Sequence, residues 1–472
     1  MVDVIVVGYG PAGAAAAIAA HDAGAEVLVL ESGPSGGGNA VYSGGVLLDI
    51  PGDECVEHLD ALCFGRTDRS VLEAYADGLH DLAFWLSELG ADFEPLAPLP
   101  PTFPAWPHFP GGSSVRYSVV TGGSGRRGEE LWKRLESAVG RRGIAVRTGT
   151  EVDGLLVEDD VVVGVECGSQ SFRAASGVVL ACGGFEANPV LVESYLPFPV
   201  AAPAGHGRNT GTGIRMGQSV GAEPWHMYGS FGWFAHVSSE FASPFPIRLP
   251  RHGHLMVDAN GHRFCDETGF EVHDQLRALT TYLPGRPNRP RLPAWVIFDE
   301  GTRRAGPLSG SLGSPNEYRW SWDNSAEVER GWILEATTVK ELAALMGTDG
   351  DVLGRTIAAY EAATQEKVDP AFGRAPDTLL PLDKSRLYAI EVWPSLGSTT
   401  GGPRHDADAR VLRSRHEVVD GLFAAGAVSS VWNHLIDHGG GLTDALVFGR
   451  IAGTAAARRN SEGSSRGPAL GT

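Results

Sequence analysis

The chain has 472 residues, 43% of them hydrophobic and 20% charged, a globular composition with room for two or three domains and a large core. Fifty-seven acidic against 38 basic residues give a formal net charge of -19, which disfavours nucleic acid and anionic membrane surfaces as partners and otherwise marks a well-solvated surface. No apolar stretch reaches about 18 residues and the first strand begins at residue 2, leaving no room for a signal peptide, so a cytoplasmic protein is expected. Cys55, Cys63, Cys167, Cys182 and Cys265 are odd in number and lack CxxC spacing, which predicts reduced thiols and no metal site.

The first predicted strand, Val4 to Val7, runs into Gly8-Tyr9-Gly10-Pro11-Ala12-Gly13, and a second, Val27 to Leu30, ends on Glu31. This spacing predicts a βαβ dinucleotide site. Gly8 permits the tight turn, Gly10 leaves room for a pyrophosphate, and Gly13 lets the helix from about Pro11 to Ala23 pack on the strand. The helix start offers free N–H groups and the positive end of its dipole to phosphates, and Glu31 can accept from ribose hydroxyls.

Residues 35 to 52 are dense in glycine, which lets backbone approach a flat ring. A helix is predicted from Ser70 to Leu89, then a proline-rich loop or lid from Pro95 to Pro110, then an amphipathic helix from Glu129 to Arg141. Gly122-Gly123-Ser124-Gly125 has no buried strand before it and reads as a loop. Short strands at Ala145 to Arg147, Val152 to Val157, Val161 to Glu166 and Gln170 to Arg173 suggest an antiparallel layer. Gly177 to Phe185 resumes the pattern of a buried parallel strand and ends on the pair Gly183-Gly184.

Between Trp225 and Pro394 lie seven of the eleven tryptophans among frequent proline and loop signals, which predicts an inserted cap at 225–394. These aromatics suit either a core or an apolar pocket under a lid. The nucleotide-binding part, 1–224, resumes at 395–458 with Ser398 to Gly402, Gly421 to Gly426, the glycine triplet Gly439 to Gly441 and a last helix from Leu442 to Ala456. Residues 459–472 are expected to be a disordered tail.

These segments, with Ser43-Gly44-Gly45, Ala181-Cys182-Gly183-Gly184-Phe185, Thr210 to Met216 and Asn260 to Glu267, occur in an order that resembles FAD-binding flavoproteins of the fumarate reductase and 3-ketosteroid dehydrogenase family. The resemblance spans nearly the whole chain. It implies an α/β fold: a Rossmann-like, glutathione-reductase-type FAD-binding domain with an inserted α+β cap, and hydride exchange between flavin N5 and a substrate carbon. It places FAD against Gly8, Gly10, Pro11, Ala12, Gly13, Glu31, Ser32, Gly38, Asn39, Ala40, Ser43, Gly44, Gly45, Val152, Ala181, Gly183, Gly184, Asn209, Gly213, Gly426, Gly441 and Leu442. No histidine lies in 35–52, where covalent relatives attach the ring, so the FAD is expected to be noncovalent. The last helix would aim N–H groups of Gly440 and Gly441 at the pyrimidine side of the flavin.

Departures from the family pattern shape the expected substrate. Counting registers, the charged groups that grip a dicarboxylate are replaced by Ser398, Glu271 and about Ile436, and the tyrosine that steroid dehydrogenases carry before the last helix is missing. Where many relatives have an acid or asparagine for the ribityl chain, this chain has Ala427. A buried carboxylate without a cationic partner costs several kcal/mol, so dicarboxylates are disfavoured. His438, tuned by Asp437 or water, is the first candidate for general base or for hydrogen-bond donor to a carbonyl; its other reading is a cap beside the terminal helix. Tyr117 and Tyr228 are second candidates by position, Tyr388 reads equally as core, and a metal on His252 and His254 is disfavoured. The expectation is an FAD-dependent oxidoreductase that dehydrogenates, or reduces, a C–C bond α,β to a carbonyl in a mostly apolar, cyclic or steroid-like small-molecule substrate. With no second GxGxxG, electrons would pass through an external acceptor or donor. The alternatives are a tricarballylate-like polycarboxylate dehydrogenase using Arg208, Arg248 or Arg251, and a flavin-binding protein without turnover.

Overall fold

The computed structural model describes residues 1–96, 106–122, 126–200, 202–269, 271–281, 291–310, 316 and 318–463. Alternation within the short apolar strands decides what packs on which face of the first sheet. Val4, Val6 and Val29 face the helices, whereas Ile5, Val7, Leu28 and Leu30 face Val162 and Val165 of an antiparallel layer. The strand Val2–Val7 pairs in parallel with Val27–Leu30 on one side and with Gln170–Leu180 on the other. Val27–Leu30 continues to Ala145–Arg147, and Gln170–Leu180 continues to Val418–Ala424. Residues from both halves of the sequence therefore share one sheet.

Two expected strands are one. Gln170–Leu180 is continuous, pairing antiparallel with Val161–Cys167 at its start and parallel with the first strand at its end. Ala174-Ala175-Ser176 contains neither glycine nor proline to break it. The glycine-rich stretch and the proline-rich connection also contribute a small sheet, Val46–Asp49 with Arg116–Val120 and Phe93–Pro95. The remainder of the expected loop or lid, 97–105, lies outside the described residues, as do 123–125 of the glycine loop.

A seven-stranded sheet is organised around Leu387–Thr399, a 13-residue strand that pairs with Ser230–His236, Ala294–Asp299, Ile333–Ala336 and Ala202–Pro203. Its tryptophans mostly serve packing. Trp332 stacks among Phe245, Tyr318 and Trp320, Trp295 is buried, Trp322 is exposed, and Trp233 reaches the cavity described below.

The last helix starts at Gly440 and runs to Gly463, beyond the expected Ala456, and packs on Pro11–Asp22. Arg459, expected in a disordered tail, instead reaches back to Asp420 at 2.7 and 2.9 Å and to the Ser176 carbonyl at 3.0 Å. Its partners lie in two neighbouring strands, Val418–Ala424 and Gln170–Leu180, which local composition does not reveal. Residues 464–472 lie outside the described residues. The five cysteines are free, and among the described residues no helix is long and apolar enough to cross a membrane.

The two helices touch backbone to backbone, because a Cβ on Gly453 would sit 2.1 Å from the Ala16 carbonyl oxygen. Gly→Ala in a helix interior ordinarily stabilises by about 1 kcal/mol. Gly453→Ala is expected to reverse that sign and destabilise by about 1–3 kcal/mol, read as a lowered midpoint in urea. A stabilised variant would show that the helices can separate at no cost.

Candidate active site

The carboxyl ends of the parallel strands open onto a cavity of about 820 Å³. At its nucleotide end, Gly8 has φ +101, and a Cβ there would lie 2.5 Å from the Ala181 carbonyl oxygen. A Cβ on Gly13 would lie 2.0 Å from the Gly8 carbonyl, so both glycines are required by close approach. Nothing within the chain comes closer than 3.9 Å to a Cβ built on Gly10, which caps the helix Pro11–Asp22. An open backbone at a helix start is a cradle for phosphate. Glu31 is aimed by two backbone donors, Tyr9 N–H at 2.8 Å and Gly33 N–H at 2.6 Å.

Most of the expected cofactor residues line this cavity: Gly8, Gly10, Pro11, Ala12, Glu31, Ser32, Gly38, Asn39, Ala40, Ser43, Gly44, Val152, Ala181, Gly183, Asn209, Gly441 and Leu442. Five others lie behind the wall and shape it. A Cβ would meet the Arg127 backbone from Gly45, Thr399 Oγ1 from Gly184, Val428 from Gly213 and Ala12 from Gly426; Gly13 packs as described above. Asn39 and Asn209 have structural work as well: both donate to Oε1 of buried Glu186, at 3.0 and 2.6 Å. Burial pushes the Glu186 carboxyl up, against the pull of those amides. Glu186 carried no sequence signal. Gly440 differs from expectation, since its N–H donates to the Asp437 carbonyl at 2.8 Å and holds the turn before the helix.

The far end of the cavity is walled by Phe231, Trp233 and Ile436 together with Arg248, His273, Asp437 and His438. Gly439, with φ +79, turns the chain so that Asp437 and His438 precede the last helix. His273 donates its N–H to Glu271 at 2.6 Å and places Nδ1 3.0 Å from the other oxygen. His438 Nδ1 lies 3.9 Å from that same oxygen, and the two imidazole rings are 5.0 Å apart. Burial, with Arg248 close by, pushes His273 down to about 3 and His438 well below the ordinary imidazole range, so both are neutral at pH 7. Burial raises Glu271, helped by Asp437, and pushes Arg248 down to about 10, which leaves the guanidinium charged. Glu271, His273 and His438 bring ligand atoms within 4.8 Å of one another, but the neighbouring guanidinium disfavours a metal cation there.

The three catalytic candidates separate. His438 is in the wall, and Tyr117 sits edge-on to it at 5.7 Å with its hydroxyl donating to Asp437 Oδ1 at 3.1 Å. Tyr228 is outside the wall: its hydroxyl accepts from Arg66 at 2.6 Å and its ring lies near His434. Position at the start of a segment does not fix which way a side chain points, and Tyr228 precedes the strand Ser230–His236 that supplies Phe231 and Trp233. Register counting located Ser398 and Ile436 in the wall, and of the three arginines the sequence offered for a polycarboxylate, Arg248 is the one at this end. Arg208 lines the nucleotide half beside Gly33, and Arg251 lies against Gly253 and Gly301.

Asp444, one turn into the last helix, lies in the wall near Ala427, with neither carboxylate oxygen hydrogen-bonded within the chain. Burial pushes it up to about 7; Ser430 and the Val431 backbone pull it down without closing a bond. Such an acceptor suits an occupant bearing hydroxyl groups.

A family model described as an FAD binding domain matches residues 3–443. Among curated relatives, an NADH:fumarate oxidoreductase of Klebsiella pneumoniae is 26% identical over 97% of this chain and 48% of that protein. A probable fumarate reductase of Shewanella frigidimarina is 29% identical over 96% of this chain and 74% of its own length. A 3-oxosteroid 1-dehydrogenase of Mycobacterium tuberculosis is 27% identical over 95% and 97%. The chain thus spans about half the length of the first of these relatives. In fold it is similar to a crystal structure of 3-ketosteroid delta1-dehydrogenase from Sterolibacterium denitrificans, with a TM-score of 0.83, 22% identity and coverage of 97% of this chain and 99% of that one.

Asp444 yields a pH dependence for the FAD-free protein. With its folded value near 7, above the unfolded carboxyl value of about 4, the folded chain holds a proton the unfolded chain has lost between those limits. Stability therefore falls as pH rises from about 4 to 7. Asp444→Asn removes the buried charge and is expected to gain about 1–3 kcal/mol over the parent at pH 8 but little at pH 5, measured by thermal melts. Equal gains at both pH values would show that the carboxylate is solvated.

Proposed function

The chain belongs to the FAD-binding-domain family, and from that premise we propose that it is an oxidoreductase that removes, or adds, two hydrogens across a C–C bond next to a carbonyl in a mostly apolar substrate. FAD is its cofactor, and the residues present fit it: an open glycine backbone at a helix start, an oriented acid at Glu31 and an elongated cavity joining them to Gly441 and Leu442. When bound, FAD supplies a hydride-exchanging ring. We read 1–224 with 395–458 as the Rossmann-like FAD-binding part and 225–394 as the cap that brings Phe231, Trp233, Arg248 and His273 to the cavity.

The observation that carries the reading is one buried guanidinium beside two neutral imidazoles at an end of the cavity to which Phe231, Trp233 and Ile436 contribute apolar surface. A neutral imidazole is a weak base but a good donor, so His438 serves as a hydrogen-bond donor to a carbonyl oxygen rather than as the base. With Arg248 it polarises that oxygen and acidifies the adjacent C–H. Glu271 lies close to this cation and Asp437 close to Glu271, in surroundings where burial already pushes a carboxyl up, so a substrate with a second or third carboxylate would meet an unfavourable site. Arg208 and Arg251 lie elsewhere, which favours the ketone over the polycarboxylate reading.

Anaerobic mixing of the FAD-loaded protein with a ketosteroid, and separately with a tricarballylate, tests the choice through loss of the yellow flavin absorbance. Bleaching is expected with the ketone. Arg248→Met and His438→Ala are each expected to slow it by about 10²–10³-fold, the loss typical of a removed oxyanion donor. Faster bleaching by the tricarboxylate would favour the polycarboxylate dehydrogenase, and unchanged colour across a library of ketones and alkenes would favour binding without turnover.

A further inference from the structure

The carbonyl chemistry above needs a group to exchange the substrate proton, and His438 is engaged there as a donor. Asp437 is closed to that work: its side chain is 0% exposed, with Oδ2 2.6 Å from His58 Nε2 and Oδ1 accepting from the Tyr117 hydroxyl at 3.1 Å. The turn that leads into the helix Gln275–Thr280 supplies another group. His273 is tied to the strand Ser230–His236 by its carbonyl, which accepts the Gly232 N–H at 2.8 Å, and its ring sits among the wall residues Phe231, Trp233 and His438 with centroids 5.5, 5.8 and 5.0 Å away. Glu271 grips it from one side. One carboxylate oxygen accepts the His273 backbone N–H at 2.6 Å and the other lies 3.0 Å from Nδ1. The Glu271 side chain is 1% exposed, whereas that of His273 is 16% exposed and lines the cavity. A carboxylate only accepts, so Nδ1 carries the single hydrogen of the neutral ring and Nε2 keeps a lone pair. Among the described residues Nε2 has no hydrogen-bond partner, and it is not one of the buried atoms left without one, so the lone pair is open on the edge of the ring away from Glu271.

We propose that His273 is the catalytic residue that exchanges the substrate proton at Nε2, and that Glu271 is the positioning residue that acts through it by exchanging a proton with Nδ1. In the dehydrogenation direction the C–H bond next to the carbonyl breaks heterolytically, and its electron pair passes to the carbon and the carbonyl oxygen. The proton bonds to Nε2, the Nδ1–H bond breaks, and that second proton passes to Glu271. His273 is neutral before and after. One negative charge leaves Glu271 as one appears on the carbonyl oxygen, which Arg248 and His438 polarise. Burial opposes an imidazolium and raises the carboxyl, so the proton comes to rest on Glu271 and not on the ring. Reduction runs the same transfers in reverse, and nothing is oxidised or reduced in this step. The titratable groups around Glu271 are His273 and His438, with Arg248, Asp437 and Tyr117 close by, while Asp274 on the same turn is paired with Arg277.

The inference rests on the function proposed above for its kinetic arm and is independent of it in the histidine spectrum. In FAD-loaded protein with 15N-labelled histidine, titrated upward in pH, His273 is expected to remain neutral and to reach a state with its hydrogen on Nδ1 and Nε2 bare. A hydrogen held on Nε2 throughout overturns the proposal. Adding a saturated ketone to the anaerobically reduced protein, which has no oxidant for it, is expected to shift the Nε2 signal, and a ketone that binds without moving it also overturns the proposal. With a ketone that bleaches the oxidised parent, the rate is expected to rise with pH as Glu271 ionises, because only the carboxylate can receive the Nδ1 proton. Glu271→Gln and His273→Gln are each expected to slow bleaching by about 10²–10⁴-fold and to abolish that rise, with substrate affinity held within about threefold and the double variant no slower than the slower single one. His438→Ala removes a donor only and is expected to keep the rise. Rates within about threefold of the parent, losses that multiply in the double variant, or a rise that survives Glu271→Gln would sink the proposal. Should His273→Gln fail to fold, Glu271→Gln and the parent spectrum decide it. A parent protein bleached by no ketone overturns the function proposed above, while the Nδ1 hydrogen and bare Nε2 of His273 still stand or fall by the spectrum.

Discussion

Where Gly449 and Gly453 of the last helix lie against the carbonyls of Ala12 and Ala16, no side chain intervenes, and both ends of the cavity are positioned by that contact. The first helix presents its start to the nucleotide end. The last helix presents its own start to the reactive end. Because the two are pressed together by bare backbone, the distance between the phosphate cradle at Gly10 and the turn at Gly439 is set by close packing, which tolerates little adjustment. The flanking strands follow: Gln170–Leu180 lies between the first strand and Val418–Ala424, so the two halves of the chain complete one sheet beneath the helices.

Burial is the leading cause of the perturbed charges at the reactive end. It neutralises His273 and His438, raises Glu271 and leaves Arg248 as a charged group in the wall. A cavity lined by Phe231, Trp233 and Ile436 weakens dielectric screening, which strengthens any hydrogen bond made to a carbonyl there. The same low dielectric makes an extra carboxylate costly. The substrate preference and the protonation pattern thus have one physical origin.

Local spacing made part of this legible. Gly8, Gly10, Gly13 and Glu31 are separated by the length of one strand and one helix, so the nucleotide end could be read without tertiary knowledge, whereas Tyr117 and His438 were separate candidates that only the fold brings side by side. Tyr228 was misplaced because the start of a segment says nothing of side-chain direction. Glu186 and His58 were invisible: glutamate and histidine are common on surfaces, and nothing in their neighbours foretells burial. Arg248 was one of three arginines the sequence offered, with nothing local to choose between them.

The sequence by itself determined the βαβ unit, the glycine backbone at its turn and the return of the chain at Gly421 to Gly453, because these depend on residue types a few positions apart and on the steric freedom of glycine. Tertiary structure decided which polar groups meet. Asn39 meets Glu186 across 147 residues, Tyr117 meets Asp437 across 320, and His58 meets Asp437 across 379. Contacts at such separations are set by how sheets and helices pack, and only folding brings the groups close enough, in a dry enough place, to change each other's chemistry.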